Sequence, residues 1–271
     1  MSETETNDPI NDKPMPLLDH LIELRRRLLW SGVAFFIAFL VCYHFSGWIY
    51  AFLAEPLAQA LKGSGQANTE LIFTQLYEAF FTYLKVAMFG ALFLSFPVLA
   101  TQLWLFVAPG LYRSEKRAML PFLVATPILF VMGAALAYYF VFPYAWHFFL
   151  SFQSPKGGGG VPIVAMPRVS EYLDLVMKLI LAFGVAFELP VGLSLLAKVG
   201  IVSSKSLKRY RRYAYVAMFV IAAVLAPPDV FTQTGLAVPL VLLYESSIIA
   251  ARLVEPKVED DEDDEDDEAA T

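Results

Sequence analysis

Four acidic residues stand where a side chain could do chemistry. Glu188 lies in Phe183-Gly184-Val185-Ala186-Phe187-Glu188-Leu189-Pro190, deep in an apolar run. A carboxylate at mid-bilayer costs a few kcal/mol even on the lenient insertion scales, so it must face a wet cavity, find a partner or be protonated. The structural alternative is a hydrogen bond to a neighbouring helix, because the Pro190 ring frees the carbonyl of Ala186. Glu23 lies in His20-Leu21-Ile22-Glu23-Leu24-Arg25-Arg26-Arg27. An i,i+4 ion pair with Arg27 would account for it. Glu115 follows Ser114, and together they would cap a helix and suit its dipole. Glu23 and Glu115 nevertheless sit in otherwise basic segments, where two acids would grip a cationic ligand by charge-assisted hydrogen bonds. Asp229 follows Pro227-Pro228 and reads as an N-cap, with Gln233 one turn later on the same face.

A second group comprises Glu78, Lys85, Glu171, Asp174 and Lys178. Asp174 and Lys178 are spaced to pair along one helix face. The bland expectation is that all five snorkel to the outer interface. The sharper one is a wet concavity that opens outward and reaches toward Glu188. No HExxH, GxSxG or P-loop motif is present, so neither a membrane metalloprotease nor an ATPase is expected. The lone Cys42 permits no internal disulfide, and His20, His44 and His147 lack ligand spacing. No enzyme activity, metal or cofactor is expected.

The elements that must position these residues are membrane spans. Of 271 residues, 58% are hydrophobic, and the mean hydropathy is +0.57. The apolar residues fall into runs long enough to cross a bilayer. Six spans are expected, at about 28–45, 79–106, 119–142, 172–199, 213–226 and 230–249. The fifth and sixth are short and joined by Pro227-Pro228-Asp229, a hairpin around which the bilayer should thin. Prolines 97, 121, 127, 190 and 239 should kink the spans that hold them. Arg25-Arg26-Arg27 ahead of Leu28–Phe45 has the form of a signal peptide, but no small-x-small cleavage site follows and five apolar segments do, so a retained first span is expected. Fifteen Lys and Arg residues fall on one side and three on the other. That bias puts both termini in the cytoplasm. Residues 1–18 form a polar arm and 253–271 an acidic tail. The run Glu259–Glu268 is ten consecutive acids, so the net charge of −6 hides a remainder of +4. Such a tail is disordered and solvated by composition.

Four motifs, in order along about Asp19–Arg252, resemble those of one family. They are His20-Leu21-Ile22-Glu23-Leu24-Arg25; Trp104-x-Phe106-x-Ala108-Pro109-x-Leu111-Tyr112-x-x-Glu115; Phe183-Gly184-x-x-Phe187-Glu188-x-Pro190; and Pro227-Pro228-Asp229-Val230-Phe231-x-Gln233. This resembles the TatC family, the receptor core of the twin-arginine protein translocase. The resemblance implies an all-α membrane protein, six helices in a concave, glove-like bundle in the bacterial inner membrane. It implies recognition of the Arg-Arg signal peptide of folded cargo at the cytoplasmic face. Assembly with the single-span partners TatA and TatB and with other copies of itself, driven by the proton-motive force, would follow. By that likeness Glu23 and Glu115 contact the signal's arginines, supported by Arg25 and Phe106. Glu188 meets a partner helix, and Pro56, Asp229 and Gln233 matter in the external cap and the sixth span. An arginine fork matched to two carboxylates explains why lysine substitutes poorly. The long acidic tail and the Gly-rich loop 157–160 depart from the commoner family pattern. The alternative is an ion-coupled secondary transporter using Glu188, but the paired broken helices of two repeated halves are not found.

Overall fold

The computed structural model describes residues 17–63, 71–107, 116–154, 160–161, 164–198, 200–225 and 229–255. The polar arm before residue 17, the acidic tail beyond 255, most of the Gly-rich loop and the connector holding Ser114 and Glu115 lie outside the described residues. Among the described residues the chain is helical, apart from one isolated bridge between Ile72 and Arg168. The helices are α1 (Leu17–His44), α2 (Ser46–Gly63), α3 (Glu78–Val107), α4 (Lys116–Leu136), α5 (Phe142–Leu150), α6 (Val169–Ala186), α7 (Leu189–Lys198), α8 (Ser204–Arg209), α9 (Arg211–Leu225) and α10 (Val230–Val254). A π-helical turn, Ala137–Val141, joins α4 to α5.

Five stretches are long and apolar enough to cross a membrane: His20–His44, Glu78–Phe106, Pro121–Leu150, Val169–Lys198 and Thr232–Val254. They match five of the six expected spans. The remaining one, α9, has 15 residues and is therefore only about 22 Å long. Large apolar side chains such as Trp30, Phe36, Leu40, Phe81, Leu103, Val131 and Leu242 face outward. In a multi-pass membrane protein these are the surfaces that lipid covers.

The helices depart from the expected boundaries in three places, each with a local cause. First, α1 begins at Leu17, well before the apolar run, because the charged turn it absorbs is internally paired through Glu23 and Arg27. Second, the stretch after α1, which lies outside every expected span, holds the helix α2 with Pro56 inside it and buried. Proline lacks the N–H that would bond the carbonyl of Phe52. The hydroxyl of Tyr138, carried on the π-turn, donates to that carbonyl at 2.7 Å, and its ring stacks on Phe52 with centroids 4.4 Å apart. Tyr172 of α6 likewise donates to the carbonyl of Leu53 at 2.7 Å. Third, the fourth span is broken. Phe187 and Glu188 form a turn between α6 and α7, one residue before the Leu189-Pro190 start of the second piece.

The core of the bundle sits where α4 and α6 cross. A Cβ added to Gly133 would stand 2.4 Å from the carbonyl oxygen of Phe183 and 2.9 Å from the ring of Phe187. One added to Gly184 would meet the ring of Phe130 at 2.7 Å. Only glycine permits this approach, and the two contacts fix an antiparallel register between the helices. Helix α1 packs chiefly on α3 at one edge, while α10 packs on α7 and α9 at the other.

Candidate functional site

At the end of the bundle where α1 begins, five side chains converge. Arg27 donates to Glu23 through Nε at 2.9 Å and through Nη2. Its Nη1 reaches Gln102 Oε1 on α3 at 3.4 Å. The expected i,i+4 pair is therefore formed, and it is also a link between two helices. His20, one turn before Glu23, stacks on Phe106 with ring centroids 4.4 Å apart. The first motif and the start of the second are thus brought into contact, a juxtaposition that the sequence alone did not reveal. A pocket of about 360 Å³ opens beside them, lined by Glu23, Arg26, Arg27, Trp30, Gln102 and Leu105. Arg25 is exposed next to it. Glu115 falls outside the described residues, in the connector that follows Val107.

Glu188 lies in the turn between α6 and α7, against α4. The register set by Gly133 and Gly184 carries one turn further to bring the hydroxyl of Thr126 opposite its carboxylate. Both carboxylate oxygens are shielded from solvent, and neither closes a hydrogen bond among the described residues. Thr126 in turn accepts the indole N–H of Trp104 at 3.0 Å. Neither Lys85 nor Lys178 pairs with Glu188, and both are engaged elsewhere. Lys85 holds both oxygens of Asp174 at 2.8 Å. Lys178 donates to the carbonyl of Val224, near the C-terminal end of α9, at 3.0 Å. The pairing expected between Asp174 and Lys178 is not the one formed. An inter-helix partner outcompetes the neighbour on the same helix because Lys85 meets the carboxylate with both of its oxygens.

At the opposite end, Glu78 corrects a second expectation. It does not snorkel but is buried, accepting from Thr74 N at 2.9 Å, Ser170 N at 3.3 Å, Ser170 Oγ at 2.6 Å and Arg168 Nη2 at 3.3 Å. That last hydrogen bond raises the pKa of the Arg168 guanidinium above its ordinary value. Arg168 also pairs with Glu171 at 2.7 Å. Glu78 thereby pins the segment before α3 to the start of α6. Asp229 is the N-cap of α10, accepting from Thr232 N at 2.7 Å, as expected. Gln233 is half-buried on the first turn beyond it. A further brace has no sequence signal: Glu245 of α10 accepts from Arg211 at 2.6 Å and from the hydroxyl of Tyr215, tying α9 to α10.

Comparison with known proteins supplies a family. Residues 19–239 match the family model described as Sec-independent protein translocase protein (TatC). A protein of Magnetococcus marinus named Sec-independent protein translocase protein TatC is 53% identical over 246 residues, covering 91% of this chain and 87% of its own length. Its counterpart in Rickettsia prowazekii is 48% identical over 237 residues, covering 88% of this chain and 92% of its own. A crystal structure of the twin arginine translocase receptor TatC superposes with a TM-score of 0.74 at 37% identity, covering 87% of this chain and 99% of that one. With the family match spanning most of its length and the fold in agreement, this chain belongs to the TatC family of Sec-independent protein translocase proteins.

Proposed function

We propose that this protein is the receptor core of a twin-arginine translocation system in the bacterial inner membrane. It binds the Arg-Arg signal peptides of folded cargo at the cytoplasmic face. Both termini are cytoplasmic, as the Lys and Arg distribution favours. Glu23 and Glu115 accept the signal's guanidinium groups, with Arg25 and Phe106 supporting the site. Glu188 and Gln233 meet the helices of the single-span partners TatA and TatB. Pro56 and Asp229 shape the outer cap and the sixth span. The proton-motive force supplies the energy, as the family resemblance implies.

The observation that carries this reading is the stack of His20 on Phe106. It sets the helical turn bearing Glu23 beside the end of α3, from which the Glu115 connector departs. A planar fork of donors suits carboxylate acceptors, whereas an ammonium offers each only a point charge. The transporter alternative needs a carboxylate open to water, and the shielded oxygens of Glu188 do not favour it.

The test is binding of an Arg-Arg signal peptide to the purified protein in detergent, beside a Lys-Lys peptide and the variants Glu23→Ala and Glu115→Ala. Loss of one charge-assisted contact costs about 1.5–3 kcal/mol, or roughly ten- to over a hundredfold in affinity. The expected result is strong preference for Arg-Arg that either variant abolishes. Equal weak binding of both peptides, unchanged in the variants, would return these acids to ion pairing and helix capping.

A further inference from the structure

Hydroxyl groups inside this bundle mostly turn back on their own helices. Ser95 donates to the carbonyl of Ala91, Thr101 to that of Pro97 and Ser194 to that of Pro190, each four residues earlier. This back-bonding is the usual fate of a serine or threonine in a helix interior. Thr126 differs. It is buried at 2% exposure, and among the described residues its hydroxyl makes no bond to its own helix. Its oxygen accepts from Trp104 Nε1. With one lone pair so occupied, the hydroxyl still has a single proton to give. The antiparallel register fixed at Gly133 and Gly184 sets it opposite Glu188, whose two carboxylate oxygens are buried and accept no hydrogen bond among the described residues.

From this arrangement we infer that Thr126 is a positioning residue for Glu188, holding the carboxylate by a hydroxyl that Trp104 orients. The chain Trp104, Thr126, Glu188 crosses three helical elements, α3, α4 and the α6–α7 turn. Its far end lies two residues from Phe106. The acid at mid-membrane is thereby connected to the end of α3 that carries the peptide-binding ring. A bare carboxylate in a dry wall would otherwise have no fixed orientation, since hydrogen bonds in a low-dielectric interior are what hold such a group. That last bond is the inferred one, since the structure sets the two groups opposite each other without closing it. The consequence for transport rests on the receptor function proposed above; the contact itself does not.

Two measurements on the full-length protein in detergent or proteoliposomes separate these. The first is the infrared carboxyl signal of Glu188, obtained as the difference between wild type and Glu188→Gln. Thr126→Val removes the hydroxyl with little change in shape and should shift this band. Thr126→Ser should leave it in place. Trp104→Phe should shift it as well, and Trp104→Phe combined with Thr126→Val should add nothing further, because both act through one hydroxyl. A band unmoved by Thr126→Val, or moved by Thr126→Val but not by Trp104→Phe, overturns the inference whatever the protein transports. The second measurement compares cargo export with Arg-Arg peptide affinity. Thr126→Val should slow export roughly two- to tenfold, the scale of one hydrogen bond, with peptide affinity unchanged and Thr126→Ser restoring the rate. Unchanged export beside a shifted band would overturn the link to transport. If wild type binds no Arg-Arg peptide, the receptor reading fails while the infrared result still decides the contact.

Discussion

The imidazole of His20 lies over the ring of Phe106, 4.4 Å between centroids and 21° from parallel. This one contact sets the start of α1 against the end of α3, and Glu23 takes its place from it. Such aromatic pairs are worth about 0.5–1.5 kcal/mol beyond their burial. His20→Ala or Phe106→Ala should therefore weaken Arg-Arg peptide binding about two- to tenfold, and His20→Phe should retain it. Titration calorimetry or fluorescence with a labelled peptide reads the difference. Equal affinity for all three variants would remove the stack from the site.

The glycines at the α4–α6 crossing make a second prediction. Gly133→Ala and Gly184→Ala each drive a methyl group into a neighbour closer than 3 Å. Overpacking of this kind costs about 1–3 kcal/mol. Gly192→Ala, whose methyl would meet nothing within 4 Å, should be neutral or slightly stabilising. Thermal unfolding in detergent should show two lowered midpoints and one unchanged.

A third prediction concerns Pro56 and Tyr138. Tyr138→Phe leaves the carbonyl of Phe52 without its donor, a loss of about 1–3 kcal/mol for a buried group. In a Pro56→Ala background, alanine regains an N–H that can bond this carbonyl. The tyrosine substitution should then be nearly silent. A double-mutant cycle on unfolding midpoints checks this, and additive effects would mean that Tyr138 acts through its ring alone.

Lys85 and Asp174 provide a fourth. Each is about half exposed within the protein, at 49% and 50%. Lys85→Asp and Asp174→Lys should each destabilise the bundle by placing like charges together. The double exchange should restore most of the loss, because the pair spans two helices and its geometry survives reversal. The coupling, not the single effects, is the quantity to compare; exposed pairs usually give about 0.2–1 kcal/mol in water.

Pinning by Glu78 yields a fifth. Glu78→Gln keeps the shape but loses the charge that gathers Thr74, Ser170 and Arg168. Amide exchange at Thr74 and Ser170 should accelerate, with α3 and α6 themselves still protected. Unaltered exchange at both amides would show that the bridge between Ile72 and Arg168 suffices alone.

What the sequence made legible was of two kinds. Five of the expected spans were, because apolar runs of this length have few other uses. So were local contacts that follow a fixed spacing, such as Glu23 with Arg27 and Asp229 with the N–H of Thr232. Contacts set by helix rotation were not. Nothing in the spacing of Asp174 and Lys178 tells that Lys85, from another helix, takes the carboxylate. Glu78 read as an interfacial acid because its partners arrive from the distant segment around Arg168. Helix α2 was hidden by Pro56, whose missing donor is made good only by a tyrosine far along the chain. Thr126 carried no signal at all. A threonine in an apolar run is unremarked until packing shows that its hydroxyl does not turn back on its own helix.

The turn at Phe187–Glu188 has a mechanical meaning. Helix α6 packs chiefly on α4, and α7 chiefly on α10, so two rods joined by a two-residue axle belong to different neighbours. Swinging one rod against the other sweeps the far ends of the helices most and leaves the axle nearly still. A carboxyl group set on that axle keeps its address while the walls beside it part or close. Motion of this kind would alter what Glu188 can touch without moving it.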